Sequence, residues 1–206
     1  MIITSVKLLK NGRYGLFEGE EFILSVDRDT WADLDLHEGD ELDEEGLEQL
    51  RTLVSRRRAH DKALTLLSYR DHSREELRRK LLRTADEEAA EEAADRMEEL
   101  GLVDDERFAR QLAAELYDRK LYGRNRVIYE LQQRGIDRGA AQTVADEFDE
   151  EPAERALRYL EKKYPRNRAD DGTRRRASAA LSRCGYAWED IRQALNNYGL
   201  DEKDAD

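Results

Sequence analysis

The chain has 206 residues, of which 39% are hydrophobic and 41% are charged, and its formal net charge is −12. So few core-forming residues favour an elongated fold whose units pack mainly on their neighbours, and the negative charge argues against a protein that coats nucleic acid by charge alone. No stretch approaches the ~20 apolar residues of a membrane span, and the N-terminal segment lacks the apolar core of a signal peptide. The lone Cys184 excludes an internal disulfide framework, so we expect a cytoplasmic protein.

Residues 1–45 are predicted to form a small antiparallel β element. Three short runs, MIITSVKLL, RYGLFEG and EEFILSV, are rich in β-branched and aromatic residues, as strands are. Asn11-Gly12 between the first two runs predicts a hairpin turn. A helix is then expected from about Asp43, because the acidic residues that follow it suit the positive end of a helix dipole; residues 46–60 are predicted to be a connecting helix.

A basic phrase that ends in leucine then occurs three times, about fifty residues apart: SREELRRKL, GRNRVIYEL and TRRRASAAL. Ser73 with Glu76 forms a capping-box pattern at the first copy. Each copy places two apolar residues one above the other on a helix face: Leu77 and Leu81, Val127 and Leu131, Ala177 and Leu181. Gly135 and Gly185 follow the second and third copies and are predicted to end those helices in a left-handed conformation.

A further helix is predicted before and after each copy, so the unit is a three-helix repeat. We expect a mainly α fold, an elongated curved array of three tandem three-helix repeats with the small N-terminal antiparallel β element. The predicted boundaries are residues 61–107, 108–151 and 152–199 for the three repeats, followed by an acidic tail at 200–206.

The sequence carries no pattern typical of an enzyme. The three histidines are not spaced for zinc, and no nucleotide-binding loop or nucleophile motif is present. Paired carboxylates are expected from composition alone, and Asp104 or Asp105 is predicted to cap a helix whose Phe108 lies in the core. We therefore expect no catalytic residue, no cofactor and no metal.

The remaining candidates are surfaces for a partner. Residues 155–183 hold ten basic and three acidic side chains, and the middle helix is basic in all three copies. Any single basic residue is most simply a solubilising one, whereas the repeated pattern favours binding; tyrosine beside arginine is also typical of interfaces. The candidate partner-binding residues are Arg74, Arg78, Arg79, Lys80, Tyr117, Tyr122, Arg124, Arg126, Lys162, Lys163, Arg166, Arg168, Arg174, Arg175 and Arg176.

The ordered motifs SYRDHSREELRRKLL, LVDDERFA, YGRNRVIYELQQRGID and LSRCGYAWEDI closely resemble the RecX family, which regulates the recombinase RecA. The resemblance implies a modulator, usually an inhibitor, that lies in the groove of the RecA–single-stranded DNA filament. It would restrain filament growth, ATP hydrolysis, strand exchange and the self-cleavage of repressors, and would thereby affect recombination, DNA repair and the SOS response. We expect a monomer with no membrane association.

Three alternative functions remain open. Three-helix units are also found in helix-turn-helix proteins, so the chain could bind DNA directly, and weak DNA affinity is compatible with filament binding. A third interpretation is an acidic helical scaffold for another partner. An enzyme is the least favoured function.

Overall fold

The computed structural model describes residues 1–10, 12–34, 36–164 and 171–200, with the side chain of residue 171 left out. Within these residues the chain forms three strands and ten helices, which fall into two compact units. The strands are β1 (Ser5–Leu8), β2 (Tyr14–Glu18) and β3 (Glu21–Val26). The helices are α1 (Arg28–Asp33), α2 (Glu44–Tyr69), α3 (Arg74–Leu81), α4 (Glu87–Glu99), α5 (Asp105–Asp118), α6 (Arg124–Gln133), α7 (Arg138–Phe148), α8 (Pro152–Lys163), α9 (Asp171–Arg183) and α10 (Trp188–Tyr198).

The first unit consists of residues 1–70 and 77–102 and contains the β element. Its sheet is an antiparallel meander in the order β1-β2-β3, with a register shift between Leu16 and Phe17. Leu16 and Val26 are fully buried and pack with Leu47, Leu50 and Val54 of α2. The predicted three-stranded meander is therefore confirmed, and one face of it forms the core with α2.

Helix α2 begins where the sequence places it. The Asp43 side chain accepts a hydrogen bond from the backbone N–H of Gly46 at 2.7 Å, as an N-cap does. The helix continues without interruption to Tyr69, so one element includes the predicted connecting helix and the first helix of repeat one. The short helix α1 was not predicted; the Asp27 carboxylate caps it and accepts from Thr30 N–H at 2.7 Å.

The second unit consists of residues 71–76 and everything from Val103 onward, and it contains the second and third repeats. The core positions predicted for the middle helices are confirmed, because Val127, Leu131, Ala177 and Leu181 are fully buried. Each repeat has its own core: α5, α6 and α7 surround one cluster, and α8, α9 and α10 surround another.

Close backbone contacts join the second and third repeats within this unit. The N–H of Gly123, the residue before α6, donates to the carbonyl of Cys184 at 2.8 Å. The hydroxyl of Tyr186 donates to the carbonyl of Leu121 at 2.9 Å. A Cβ at Gly123 would lie 2.6 Å from the carbonyl carbon of Gly185, so this contact requires glycine.

The first turn of α3 belongs to the same unit and makes the equivalent contact with repeat two. The Ser73 hydroxyl donates to the carbonyl of Arg134. Ser73 precedes Gly123 by fifty residues, and Arg134 precedes Cys184 by the same interval. The start of one middle helix therefore binds the turn that ends the next middle helix, and the repeat in the sequence corresponds to a repeated contact.

Candidate partner-binding surface

Two candidates of the second repeat, Tyr122 and Arg126, contact each other at the start of α6. The Arg126 guanidinium lies 5.6 Å from the ring centroid of Tyr122 and 5.0 Å from that of Tyr129. It also pairs with Glu130, one turn further along the helix, at 2.6 Å. Tyr122 is half-buried against the repeat core, whereas Tyr129 is 49% exposed. This surface has aromatic faces, but its positive charge is neutralised.

Arg124 is also paired, with a carboxylate on the neighbouring helix α7. Its guanidinium donates two hydrogen bonds to Asp146, of which the Nη2–Oδ2 distance is 3.1 Å. The hydrogen bonds from Arg124 lower the pKa of Asp146, and the same contact raises the pKa of Arg124. The pair holds α6 against α7, so Arg124 offers a partner little free charge.

Tyr117 lies in the core of repeat two and is only 3% exposed. Its hydroxyl donates to the carbonyl of Ala145 at 3.0 Å, and burial raises its pKa. The guanidinium of Arg155 stacks 4.2 Å from its ring centroid and pairs with Asp149 at 2.8 Å. The side chains of Tyr117 and Arg155 are both engaged in internal contacts. They are therefore not part of the proposed surface, although Arg155 belongs to the basic stretch of the sequence.

The candidates of the first repeat differ in exposure. The backbone N–H of Arg74 donates to the Asp105 carboxylate at 2.7 Å, which fixes the start of α3. The side chain of Arg78 is 23% exposed and lies between two glutamates of α4, Glu87 and Glu91. Of the remaining two, Arg79 is exposed and Lys80 is half-buried, so Arg79 is the more accessible to a partner.

Among the candidates that the structure describes, exposed cations without an ion pair lie in the third repeat. Lys162 and Lys163 are exposed at the end of α8, and neither forms an ion pair with any residue that the structure describes. They stand in the last turn of the helix, where positive charge is favourable. Arg166 and Arg168 lie outside the described residues.

The three arginines of α9 have separate roles. Arg174 Nε donates to the carbonyl of Leu200 at 2.9 Å, and Arg176 donates to the Thr173 hydroxyl at 2.8 Å. Arg175 is exposed and, within the described part of the chain, has no ion pair. Arg175 and Arg176 are both exposed, and Arg174 and Arg176 also form hydrogen bonds within the repeat.

The structure adds Trp188, which the sequence reasoning did not single out. Its side chain is 65% exposed and lines an open hollow of about 500 Å³ together with Arg174 and Arg175. Ile191 and Leu195 form part of the floor. Trp188 is the first residue of α10. Its exposure could have been predicted from this position, because no preceding helical turn covers the side chain.

Two features, a metal-binding cluster and a membrane-spanning helix, are not found among the described residues. Among them, no three His, Cys, Asp or Glu side chains are grouped so as to hold a metal ion. None of the helices in the described ranges has both the length and the apolar character needed to span a membrane. Within the described residues, Lys162, Lys163 and Arg175 form no ion pair, and the exposed indole of Trp188 lies in the same repeat. This combination suits an acidic or aromatic partner.

Comparison with known proteins identifies the family of the chain. The family model described as the first three-helix domain of RecX matches residues 59–97, and that of the second three-helix domain matches residues 104–144. Regulatory protein RecX of Clostridioides difficile (strain 630) is 27% identical over 98% of this chain and 99% of its own length. Regulatory protein RecX of Chlorobium phaeobacteroides (strain BS1) is 34% identical over 68% of this chain and 93% of its own length.

Solved structures share the fold. A crystal structure of regulatory protein RecX has a TM-score of 0.63 at 21% identity and covers 98% of this chain and 100% of its own. RecX from Lactobacillus salivarius has a TM-score of 0.61 at 20% identity, over 71% of this chain and 98% of its own. The repeat topology, the two matching domains and the near full-length similarity agree, and the chain belongs to the RecX family.

Proposed function

We propose that this protein is a non-enzymatic regulator, and specifically an inhibitor, of the recombinase RecA. It binds in the groove of the RecA–single-stranded DNA filament and restrains filament growth, ATP hydrolysis, strand exchange and coprotease activity. The observation that carries the proposal is the similarity, over nearly the whole chain, to proteins named regulatory protein RecX.

The surface of the third repeat supports this proposal. Lys162, Lys163 and Arg175 have no ion pairs among the described residues, and Trp188 beside Arg175 supplies an aromatic anchor. Such groups bind acidic and partly apolar surfaces. A chain with repeated units also gains avidity from a partner whose subunits repeat, because several weak contacts form together.

Filament assays test the proposal. Purified protein is added to RecA filaments on single-stranded DNA, and ATP hydrolysis and strand exchange are measured against protein concentration. Both rates should fall at protein concentrations well below those at which the protein binds the same DNA alone. Unchanged rates at stoichiometric protein would rule out inhibition for this chain.

Direct DNA binding is the second candidate function. It is favoured by the same unpaired cations and by the exposed indole of Trp188, since stacking on aromatic side chains is common in single-strand recognition. The slope of log affinity against log salt on DNA without recombinase separates the two functions. Tight binding with a steep slope favours a DNA-binding protein, whereas weak binding with a shallow slope favours the recombinase as the main partner.

A further inference from the structure

A second group of cations, which the sequence analysis did not identify, lies in the first unit. Arg13, Arg58, Lys62 and Arg83 line one open pocket of about 780 Å³. Three elements supply them: Arg13 precedes β2, Arg58 and Lys62 stand one turn apart on α2, and Arg83 follows α3. Residues so distant in sequence form one cationic pocket only in the folded unit.

Two of these side chains are held together although they repel each other. Arg13 Nη2 donates to the carbonyl oxygen of Ser25 at 2.8 Å, and Arg13 Nε donates to the Ser25 hydroxyl at 3.2 Å. Arg58 Nη2 lies 3.5 Å from the same carbonyl oxygen. The pKa of Arg13 is lowered, first by burial and then by the positive charge of Arg58, which the charge of Asp27 opposes in part. Two guanidinium groups held this close repel each other, and a bound anion reduces that repulsion.

The other two cations of the pocket, Lys62 and Arg83, lie on its exposed side. Within the described residues, Lys62 and Arg83 are exposed and form no ion pair. The acidic residue that lines the pocket is Asp86, and its carboxylate already accepts a hydrogen bond from Ala89 N–H at 2.9 Å. Other basic residues of α2, the helix of Lys62, are neutralised. Arg56, for example, pairs with Glu88 and Glu92. In a chain with more acids than bases, this pocket is locally positive.

An exposed aromatic side chain stands beside the pocket. Phe22 is 53% exposed and lines an adjoining hollow of about 290 Å³ that shares Ser25, Ser55 and Arg58 with the cationic pocket. The ring of Phe17 packs edge-on against it, with centroids 5.6 Å apart. A groove of cations next to an available aromatic face is the composition of single-strand nucleic-acid sites, in which phosphates are neutralised and bases stack.

We infer that this pocket binds the sugar-phosphate backbone of a single-stranded nucleic acid, with Phe22 as the face on which a base stacks. The inference deepens the second candidate function, because it places a site for single strands in the first unit, and it does not require recombinase binding. A duplex keeps its base faces stacked inside, and an acidic peptide lacks a base to place on Phe22, so both are less suitable occupants.

Fluorescence anisotropy with a labelled oligothymidylate tests the site in the full chain without recombinase. The variant Lys62→Ala/Arg83→Ala is compared with the control Arg57→Ala/Arg96→Ala. The control removes the same charge from two arginines that are paired with Asp33 and Glu99. The pocket variant should bind about tenfold more weakly, and its salt slope should fall by about 1.4, because each phosphate contact contributes roughly 0.7 for single strands. In the control variant, the affinity and the salt slope should each change by less than half of these amounts.

Phe22→Ala separates stacking from charge. It should weaken binding by roughly tenfold, in the range measured for aromatic stacking, with an unchanged salt slope. Leu8→Ala, at another exposed apolar residue of the sheet, is the matched control and should have no effect. Circular dichroism confirms that each variant is folded.

Two outcomes would overturn the inference. One is an equal loss of affinity in the pocket variant and the arginine control. The other is displacement of the oligonucleotide by a polyglutamate of the same charge as readily as by unlabelled oligothymidylate, because that result assigns the pocket to an acidic peptide.

Discussion

Gly185 lies at a point where the backbones of two repeats touch. Its φ is +86°, a conformation that other residues adopt only at a cost, and a Cβ on it would overlap the backbone nitrogen of Arg126. The sequence predicted the left-handed conformation from the position of Gly185 after a middle helix. It could not predict the contact, because Arg126 is nearly sixty residues away.

Replacement of Gly185 by alanine should therefore destabilise the protein by about 3 kcal/mol or more, since strain adds to overlap in a packed site. The matched control is Gly199→Ala, because Gly199 has a similar φ of +82° but open space around a Cβ. That control should cost about 1 kcal/mol from strain alone. Urea unfolding, followed by circular dichroism, measures the free energy of unfolding of both variants. Equal losses of this free energy would show that the contact between the repeats does not stabilise the fold.

The cap residue Asp86 should make stability depend on pH. Its pKa is lowered, chiefly by a hydrogen bond with Ser55 and by the N–H of Ala89, with a smaller contribution from the charge of Arg56. A lowered pKa in the folded state means that the ionised form stabilises the fold above the unfolded pKa of about 3.9, and that this contribution is lost as pH falls through the lowered value.

Asp86→Asn should thus lower the free energy of unfolding at pH 7 by about 0.5 to 1 kcal/mol, the usual contribution of a charge at a helix N-terminus. The difference from the parent protein should shrink as the pH falls below about 4. Thermal unfolding from pH 2.5 to 7 measures it, with Asp104→Asn at the cap of α5 as a control for cap chemistry. A difference that does not vary with pH would exclude the charge as its cause.

At the level of helices and strands, local signals in the sequence were sufficient for most of the fold. The Ser73 hydroxyl accepts a hydrogen bond from Glu76 N–H at 3.0 Å, as the capping box predicted, and the Asp104 carboxylate accepts from Arg107 N–H at 2.9 Å. Caps, left-handed glycines and core periodicity all lie within a few residues of the feature they determine, which is why they can be predicted. The helix α1, with six residues, is too short for a helical period to be recognised.

Pairings between helices were not predictable. Arg124 and Asp146 are twenty-two residues apart, and nothing in either segment indicates the other. The contact of Tyr117 was not predictable for the same reason. In the sequence its neighbouring arginines suggest an interface residue, but in the structure its ring packs on Arg155 in the core. The exposure of a side chain depends on how the helices pack against each other. The sequence therefore shows the number of basic residues but not which of them form ion pairs.

Ser73 connects two elements, and its loss should show this. Ser73→Ala removes both the cap of α3 and the hydrogen bond to the carbonyl of Arg134. We expect a loss of about 2 to 3 kcal/mol, roughly 1 for the cap and 1 or more for the buried hydrogen bond. Asp137→Ala, which removes only the cap of α7, should cost about 1 kcal/mol. If urea unfolding gives the same value for both variants, the contact between repeats does not stabilise the fold.

For the whole molecule, the net charge of −12 hides an uneven distribution. Many arginines of the described residues are neutralised by carboxylates, as Arg110 is by Glu106 and Glu147. Within the described part of the chain, the exposed Lys162, Lys163 and Arg175 of the third repeat form no ion pair. Charge that remains unpaired in an acidic protein is available to a partner, and for this reason the proposed recombinase surface centres on the third repeat.

Replacement of Arg174, Arg175 and Arg176 together by alanine should weaken filament binding by about tenfold or more, since one or two exposed charged contacts contribute at this level. The helix content should stay unchanged. Arg107 and Arg119, at the two ends of α5, are both exposed and form ion pairs with Asp104 and Glu115, and they provide a double-alanine control. Unchanged inhibition by a folded triple variant would remove α9 from the proposed interface.

Co-sedimentation with RecA filaments assembled on single-stranded DNA tests the central claim most directly. The protein should pellet with the filaments at saturating, stoichiometric amounts, and a much smaller share of it should pellet with an equal amount of DNA alone. Recovery in the supernatant in the presence of filaments, or equal pelleting with naked DNA, would contradict the account.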